Sequence, residues 1–453
     1  MLKINEILAR EEGKTLEFKR DCSSLEPIVK TVIAFVNTAG GDILVGIQDK
    51  SKEIVGVKDP VADEIRLCNA FSDLISPQLI PDIDVLDYRG LSLLLIRVPH
   101  LSGPYYLKPA GLDHGVYVRL GSTNRVADQA MLDELRRYSQ NICFDETPLP
   151  GVSSEQINFQ LASDLFVKQG KNIDTNRLIT LGTLQRVGSK VVPSIGGVLL
   201  FGSNKEAILP DAKIKCARFK GLSSSIFLDN LEINSGLVRA VEEVIQFIRR
   251  HTKQGLEIGA ISHKAKDEYP EIAIREVVIN AIVHTDYSIK GMNILVGIYD
   301  NRIEVTNPGG LPFGISMEHI FSGVSKLRNR VIGRVFHELK LIEQWGTGIS
   351  RIKDTCNHAN LPEPRFEELG ASFRVTLYSG TKKVKASKSW ELVLVSYLQD
   401  SQEISSKQAA DLWGISERGA RMRLNTLIEK KIISKVATSL NDPKTTYILR
   451  SGN

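Results

Sequence analysis

The hydrophobic pattern changes period several times along the 453 residues, and each change marks an element. Leu16 to Arg20 alternates apolar and charged positions, which predicts a strand with Leu16 and Phe18 inward and Glu17 and Lys19 together on the other face. Val29 to Asn37 reads as a short helix and Gly40-Gly41 as a turn that needs positive φ. Ile43 to Ile47 reads as a buried strand that delivers Asp49 to its end. Leu91 to Val98 and Gly115 to Leu120 predict further strands, and Ala127 to Tyr138 a closing helix. Two prolines and a glycine in Thr147 to Gly151 make that stretch a linker. Ile195 to Gly202 then echoes the glycine-strand pattern of Gly40 to Gly46. Arg275 to His284 has helical spacing, with Ile274, Val277, Val278 and Ala281 on its buried side, and strands follow over Asn293 to Tyr299 and Arg302 to Thr306. The polar, basic stretch Ser379 to Lys388 is a second linker. Beyond it, helices over Trp390 to Leu398, Lys407 to Trp413 and from Ser416 onward precede a hairpin of Ile432 to Val436 and Thr445 to Leu449.

Chemistry enters at three places. Glu12, Glu17 and Asp49 are carboxylates that, if they converge, can hold one or two Mg2+ or Mn2+ ions for phosphodiester chemistry, with Lys19 offsetting developing charge. The alternative, which spacing alone favours because charged strand faces are common, is a solvated face of an edge strand. Glu276, Asn280 and His284 fall at i, i+4 and i+8 on one helix face. An amide oxygen and a carboxylate one turn apart suit a Mg2+-nucleotide, and Gly309, Gly310, Gly346 and Gly348 could bring backbone N–H groups to its phosphates. Here too an exposed helix face and ordinary turns remain open. For nucleic acid, Arg119, Ser122 and Arg125 could face a phosphate backbone, although Gly121 to Asn124 could be only a turn. In the tail, Arg418, Arg421 and Arg423 are available to a DNA groove while Ala420, Leu424, Leu427 and Ile428 face inward.

Composition narrows the classes without choosing one. Hydrophobic content of 42% and charged content of 25% are ordinary globular values. A net charge of +5 permits a nucleic-acid partner without demanding one. Five scattered cysteines suggest neither a disulfide framework nor a zinc site; Cys356 and His358 lie close, but no second pair completes four ligands. With no apolar signal core and no run of eighteen apolar residues, a cytoplasmic protein without a membrane partner is expected. Gly202 is followed by Ser203-Asn204, so Gly197 to Lys205 is not a P-loop.

The Glu12, Glu17-Phe18-Lys19, Asn37-Thr38-x-Gly40-Gly41 and Asp49 pattern resembles the Schlafen AlbA-like domain. In its nuclease-active members the matching Glu, Glu and Asp hold the catalytic metal, which assigns that role here to Glu12, Glu17 and Asp49. Glu276 to Tyr287 with Asn307 to Pro312, Lys326 to Asn329 and Gly346 to Arg351 resembles the divergent GHKL-like region of bacterial RecG-related proteins, a relative of the ATP-binding fold of gyrase, histidine kinases and MutL. That resemblance implies ATP, a metal near Asn280, an attacking water near Glu276, and Gly346 and Gly348 against phosphates. The chain departs from the pattern where Asn307-Pro308-Gly309-Gly310 replaces the adenine-recognising Asp-x-Gly-x-Gly. The tail resembles a winged helix.

The expected architecture is therefore α+β and multidomain: an AlbA-like domain over 1–145, a connecting α/β region over 146–260, a GHKL-like α/β sandwich over 261–380 and a winged helix-turn-helix over 388–453. The expected function is a DNA- or RNA-binding regulator or defence effector, nucleotide-controlled and homo-oligomeric, with metal-dependent nuclease activity in the first domain. Two rivals stand beside it: a non-enzymatic transcriptional regulator, and an assembly protein gated by nucleotide.

Overall fold

The computed structural model describes residues 4–49, 52–252, 254–258, 263–342, 346–380, 390, 393–394, 397–398, 403–429, 432–436 and 445–449. The chain divides into two compact units, Met1–Gly380 and Thr381–Asn453. Of the basic linker expected at the division, Ser379 to Lys388, positions 381–388 lie outside the described residues.

In the first unit, β1 (Leu16–Lys19) runs parallel to β2 (Gly41–Val45), and the crossover between them is α1 (Glu26–Thr38). A hairpin of β3 (Asp82–Tyr88) and β4 (Leu91–Val98) completes a four-stranded sheet in the order β1-β2-β4-β3. The turn into β2 requires glycine at Gly40, whose φ is +71°; a Cβ there would lie 2.8 Å from the Val98 carbonyl. Across α1 lies the hairpin β5 (Tyr117–Leu120) and β6 (Thr123–Val126), followed by α2 (Gln129–Ser139). Asn37 ties these layers together. Its buried amide donates to the carbonyls of Tyr105 and Tyr117 at 2.8 and 3.0 Å and accepts from the Tyr105 N–H, so every polar atom it buries is paired.

The stretch expected as a glycine strand is instead a helix, α3 (Ile195–Phe201), buried along its whole length. Ser194 caps it by accepting the Gly197 N–H at 3.0 Å, and Gly197 lets it close on the Thr183 backbone. An apolar run bounded by glycines carries no period, and only the cap distinguishes the two readings.

A six-stranded sheet dominates the rest of the unit. It is built from β7 (Ile214–Phe219), β8 (Phe227–Ile233), β9 (Ile294–Ile298), β10 (Arg302–Pro308), β11 (Arg365–Leu369) and β12 (Ser372–Tyr378), in the order β8-β7-β9-β10-β12-β11. Because β7 pairs directly with β9, and one core includes both Leu199 and Ile282, the expected boundary at 260 cuts through a single sheet and a single core. Against this sheet pack α4 (Leu237–His251) and α5 (Glu271–His284); α6 (Arg330–Glu338) lies on α3, and α7 (Gly348–His358) on α5. α6 lacks a side-chain cap of its own. Asp145, buried and 185 residues distant, accepts the N–H groups of Arg330 and Ile332 at 3.1 and 3.0 Å in its place.

The second unit has a three-stranded sheet of β13 (Glu403–Ser405), β14 (Ile433–Val436) and β15 (Thr446–Leu449), with β15 in the middle. α8 (Ser406–Trp413) and α9 (Glu417–Glu429) pack on it through Ala409, Ala410, Ala420, Leu424 and Leu427. Ser405 and Gln408 form a reciprocal cap at the start of α8, and Gly414, with φ +62°, ends it.

Candidate nucleotide and nucleic-acid sites

The Glu12, Glu17 and Asp49 carboxylates lie in one neighbourhood but are not gathered as metal ligands. Burial pushes the Glu12 carboxyl above its usual value. The negative charges of Glu17 and Asp49 add to this, while the Phe18 N–H, which donates to it at 2.7 Å, opposes it. Asp49 is exposed. Glu17 is buried, with one oxygen paired to Lys19 and the other to Arg119. Among the described residues no group of three or more His, Cys, Asp or Glu side chains is arranged to hold a metal ion. Both Glu17 oxygens and one of Glu12 already accept from donors within the chain.

Arg119 requires a correction. It was expected to face a phosphate, yet its side chain is 1% exposed. Its guanidinium is shared among Glu17, the Gly13 carbonyl at 2.9 Å and Asn124 at 2.9 Å, and it stacks over Phe35. Three of its five N–H donors are taken and the group is buried, so it does not present itself to a phosphate at the surface. Arg125, on β6, is exposed.

The second constellation lines a cavity of about 570 Å³ between α5, α7 and the sheet. Its floor is one face of the sheet: Val305 and Asn307 on β10 stand opposite Val375 and Phe373 on β12, and Phe366 on β11 opposes Val375. Glu276, Asn280 and His284 project from α5 into the same space. Gly348 begins α7 directly over them, where a Cβ would lie 3.2 Å from both the Asn280 amide and the Glu276 carboxylate. The preceding Gly346 has φ +66° and abuts the Gly323 carbonyl, leaving no room for a side chain. Thr347 gives α7 no side-chain cap, so the helix presents its first N–H groups and the positive end of its dipole at the cavity. Lys326 and Arg351 also line it, and Arg351 donates to Glu276 at 2.7 Å. The sheet floor is thus apolar with a single amide, and the same cavity is also lined by an acid, a second amide, two cations and the uncapped N-terminus of α7.

Of the four expected glycines, Gly310, Gly346 and Gly348 line the cavity. Gly309 does not: with φ +88° it turns the chain beneath Arg328 and Asp286. Sequence reasoning missed Arg351 as the partner of Glu276 and Phe373 as part of the floor. Arg351 lies three residues beyond Gly348, on the same helix face, which is the signal that pointed to it.

His284 is pressed against Arg328, and burial followed by that cation pushes its imidazole down to about 4. His100, which bonds the Val36 carbonyl at 2.9 Å and the Tyr138 hydroxyl at 3.2 Å, is likewise pushed down to about 4, mainly by burial. A histidine depressed in the fold contributes stability that is complete above its unfolded value near 6.5 and is lost as pH falls towards 4. Relative to a His100→Gln variant, the wild type should therefore lose stability over that window at up to about 1.4 kcal/mol per pH unit. Urea midpoints of both proteins at pH 7 and at pH 4.5 check this, and a pH-independent difference contradicts it.

In the second unit Arg418 and Arg421 are exposed on α9, with Arg421 3.4 Å from Glu417. Arg423 was expected beside them but stands over the rings of Trp390 and Trp413, at 5.1 and 5.5 Å from their centroids. That stacking holds it against the tryptophans that pack on the core of the unit.

Residues 12–128 match the family described as Schlafen, AlbA_2, and residues 291–377 match the family described as "Putative ATP-dependent DNA helicase recG C-terminal". The chain is a multidomain α+β protein that carries a Schlafen AlbA_2 domain and, C-terminal to it, a RecG-type HATPase domain. The second match begins after α5, so Glu276 and Asn280 precede it. Among solved structures, the DIP2311 protein of Corynebacterium diphtheriae is similar at 20% identity and a TM-score of 0.46, over 98% of this chain and 96% of that one. The N-terminal domain of a "Putative ATP-dependent DNA Helicase RecG-related Protein" from Nitrosomonas europaea is similar at 27% identity and a TM-score of 0.23, over 28% of this chain and 97% of that domain. No protein of curated function matches. Among the described residues, no helix is long and apolar enough to cross a membrane.

Proposed function

We propose that the chain is a nucleic-acid-binding regulator whose state is set by a Mg2+-nucleotide in the cavity between α5, α7 and the sheet. The observation that carries this reading is the polarity of that cavity. Its apolar floor, with the Asn307 amide, offers a planar base both contact area and hydrogen bonds. Its walls offer an anion the N-terminus of α7, Lys326 and Arg351. Asn280, whose side chain has no hydrogen-bond partner among the described residues, and the free oxygen of Glu276 are the donors that fit a Mg2+ ion carried by the phosphates. When bound, that ion neutralises phosphate charge; Glu276, held by Arg351, is placed to orient a water. Calorimetric titration of Mg2+-ATP into the full chain tests the reading. Saturable binding with one site per chain is expected, and no binding at millimolar nucleotide would remove it.

For the AlbA_2 domain, the pairing of Glu17 with Arg119 and Lys19 favours binding over cleavage. Purified protein should retain labelled RNA or DNA without shortening it, even with Mn2+; a cleavage product lost on Glu12→Ala would restore the nuclease reading.

The second unit, with α9 behind a capped turn and β14 beside β15, supports a winged-helix reader of duplex DNA. Arg421→Ala should relax sequence preference by about 1–3 kcal/mol while leaving the unit folded. Arg423→Ala should instead lower its melting temperature, because it unstacks two tryptophans. Equal and uniform loss of affinity for all duplexes in both variants would assign α9 to another role.

A further inference from the structure

The segment 309–328, between β10 and α6, has two engaged faces. One lines the cavity through Gly310, Leu311, Ile320 and Lys326. The other grips the N-terminal domain. Phe313 packs on the small core formed by Val116, Val118, Leu132 and Leu135, the Gly314 N–H donates to the Thr38 carbonyl at 2.6 Å, and Arg328 reaches Glu134 at 3.2 Å. Lys326 belongs to both faces: it lines the cavity, yet its ammonium lies 3.5 Å from the centre of the Tyr138 ring and donates to the Phe313 carbonyl at 2.7 Å. A separate tie comes from Lys14, which reaches Glu368 at 2.9 Å, and that same carboxylate accepts the Leu311 N–H at 2.7 Å.

We propose that this segment is a transmission strap through which the occupant of the cavity sets the conformational state of the AlbA_2 domain. The inference rests on the nucleotide reading and adds its regulation. An anion in the cavity competes with the Tyr138 ring and the Phe313 carbonyl for the Lys326 ammonium, so the bound and free states differ in what holds the strap. A displacement of the strap is not absorbed locally. Phe313 packs against the small core, and at Gly314, with φ +87°, even a Cβ would lie 2.7 Å from the His100 ring. Next in line is Thr38, whose carbonyl receives the strap and whose hydroxyl accepts the Arg119 N–H at 2.8 Å; Arg119 in turn holds Glu17. By linkage the effect is reciprocal, and whatever binds the AlbA_2 domain in its nucleotide-bound state raises the affinity for nucleotide.

Hydrogen exchange of the full chain with and without saturating Mg2+-ATP tests the strap, with binding followed separately by calorimetry. In the wild type, exchange is expected to change about fivefold or more, the lower end of ordinary coupling between sites, at 309–328 and also at 116–138. In Phe313→Ala and in Tyr138→Leu the change should stay within 309–328 and around the cavity while Mg2+-ATP still binds. Nucleotide binding with no change at 116–138 in the wild type overturns the strap and leaves the nucleotide site standing. Absence of binding overturns both. The same change at 116–138 in wild type and both variants assigns the coupling to another route and overturns the role given to 309–328.

Discussion

Replacing Arg119 with Met is expected to destabilise the full chain by about 3–5 kcal/mol, the cost of leaving a buried carboxylate without its partner. Glu17 is 8% exposed and Arg119 2%, so water cannot take over the pairing, and Lys19 neutralises only one of the two carboxylate oxygens. The same substitution frees the Gly13 carbonyl and Asn124, which adds to the loss. Glu17→Gln with Arg119→Met should recover most of the stability, because the pair is costly to break and cheap to replace together. The urea midpoint of the least stable transition measures both proteins. A loss below about 1 kcal/mol in the single variant would place the pair among ordinary surface ion pairs.

Removing the amide of Asn280 should abolish the response to nucleotide while leaving the unliganded protein as stable as before. A ligand at a hundred times its dissociation constant stabilises the state it binds by about 2.7 kcal/mol, and Asn280→Ala should lose that gain along with the melting shift that reports it. Gly348→Val reaches the same end by another route, since its side chain would occupy the space between α7 and the Asn280 and Glu276 side chains. If Asn280→Ala keeps the full shift, the polar lining of the cavity is not where the ligand's charge sits.

Local periodicity carried a large part of the fold. The strand at Leu16–Lys19 and the helix at Glu271–His284 were legible because their apolar residues recur with the strand and helix periods, and the shared face of Glu276, Asn280 and His284 followed from the same spacing. What escaped was non-local. Arg119 and Glu17 are 102 residues apart, and no period links a cation on one hairpin to an acid on a strand it does not pair with. The pairing of β7 with β9 joins strands on opposite sides of the expected boundary at 260. Arg418, Arg421 and Arg423 have equal helical credentials in the sequence. Only the position of Trp390 and Trp413 separates the third from the others.

Photolabelling with Mg2+-8-azido-ATP, followed by peptide mapping of the full chain, tests the nucleotide site most directly, because the reactive group sits on the base. The floor of the cavity predicts that labelled peptides contain 305–312 or 366–375 and that excess Mg2+-ATP competes the label away. Competable label found only outside those segments would contradict the placement of the nucleotide on the sheet face beneath α5 and α7.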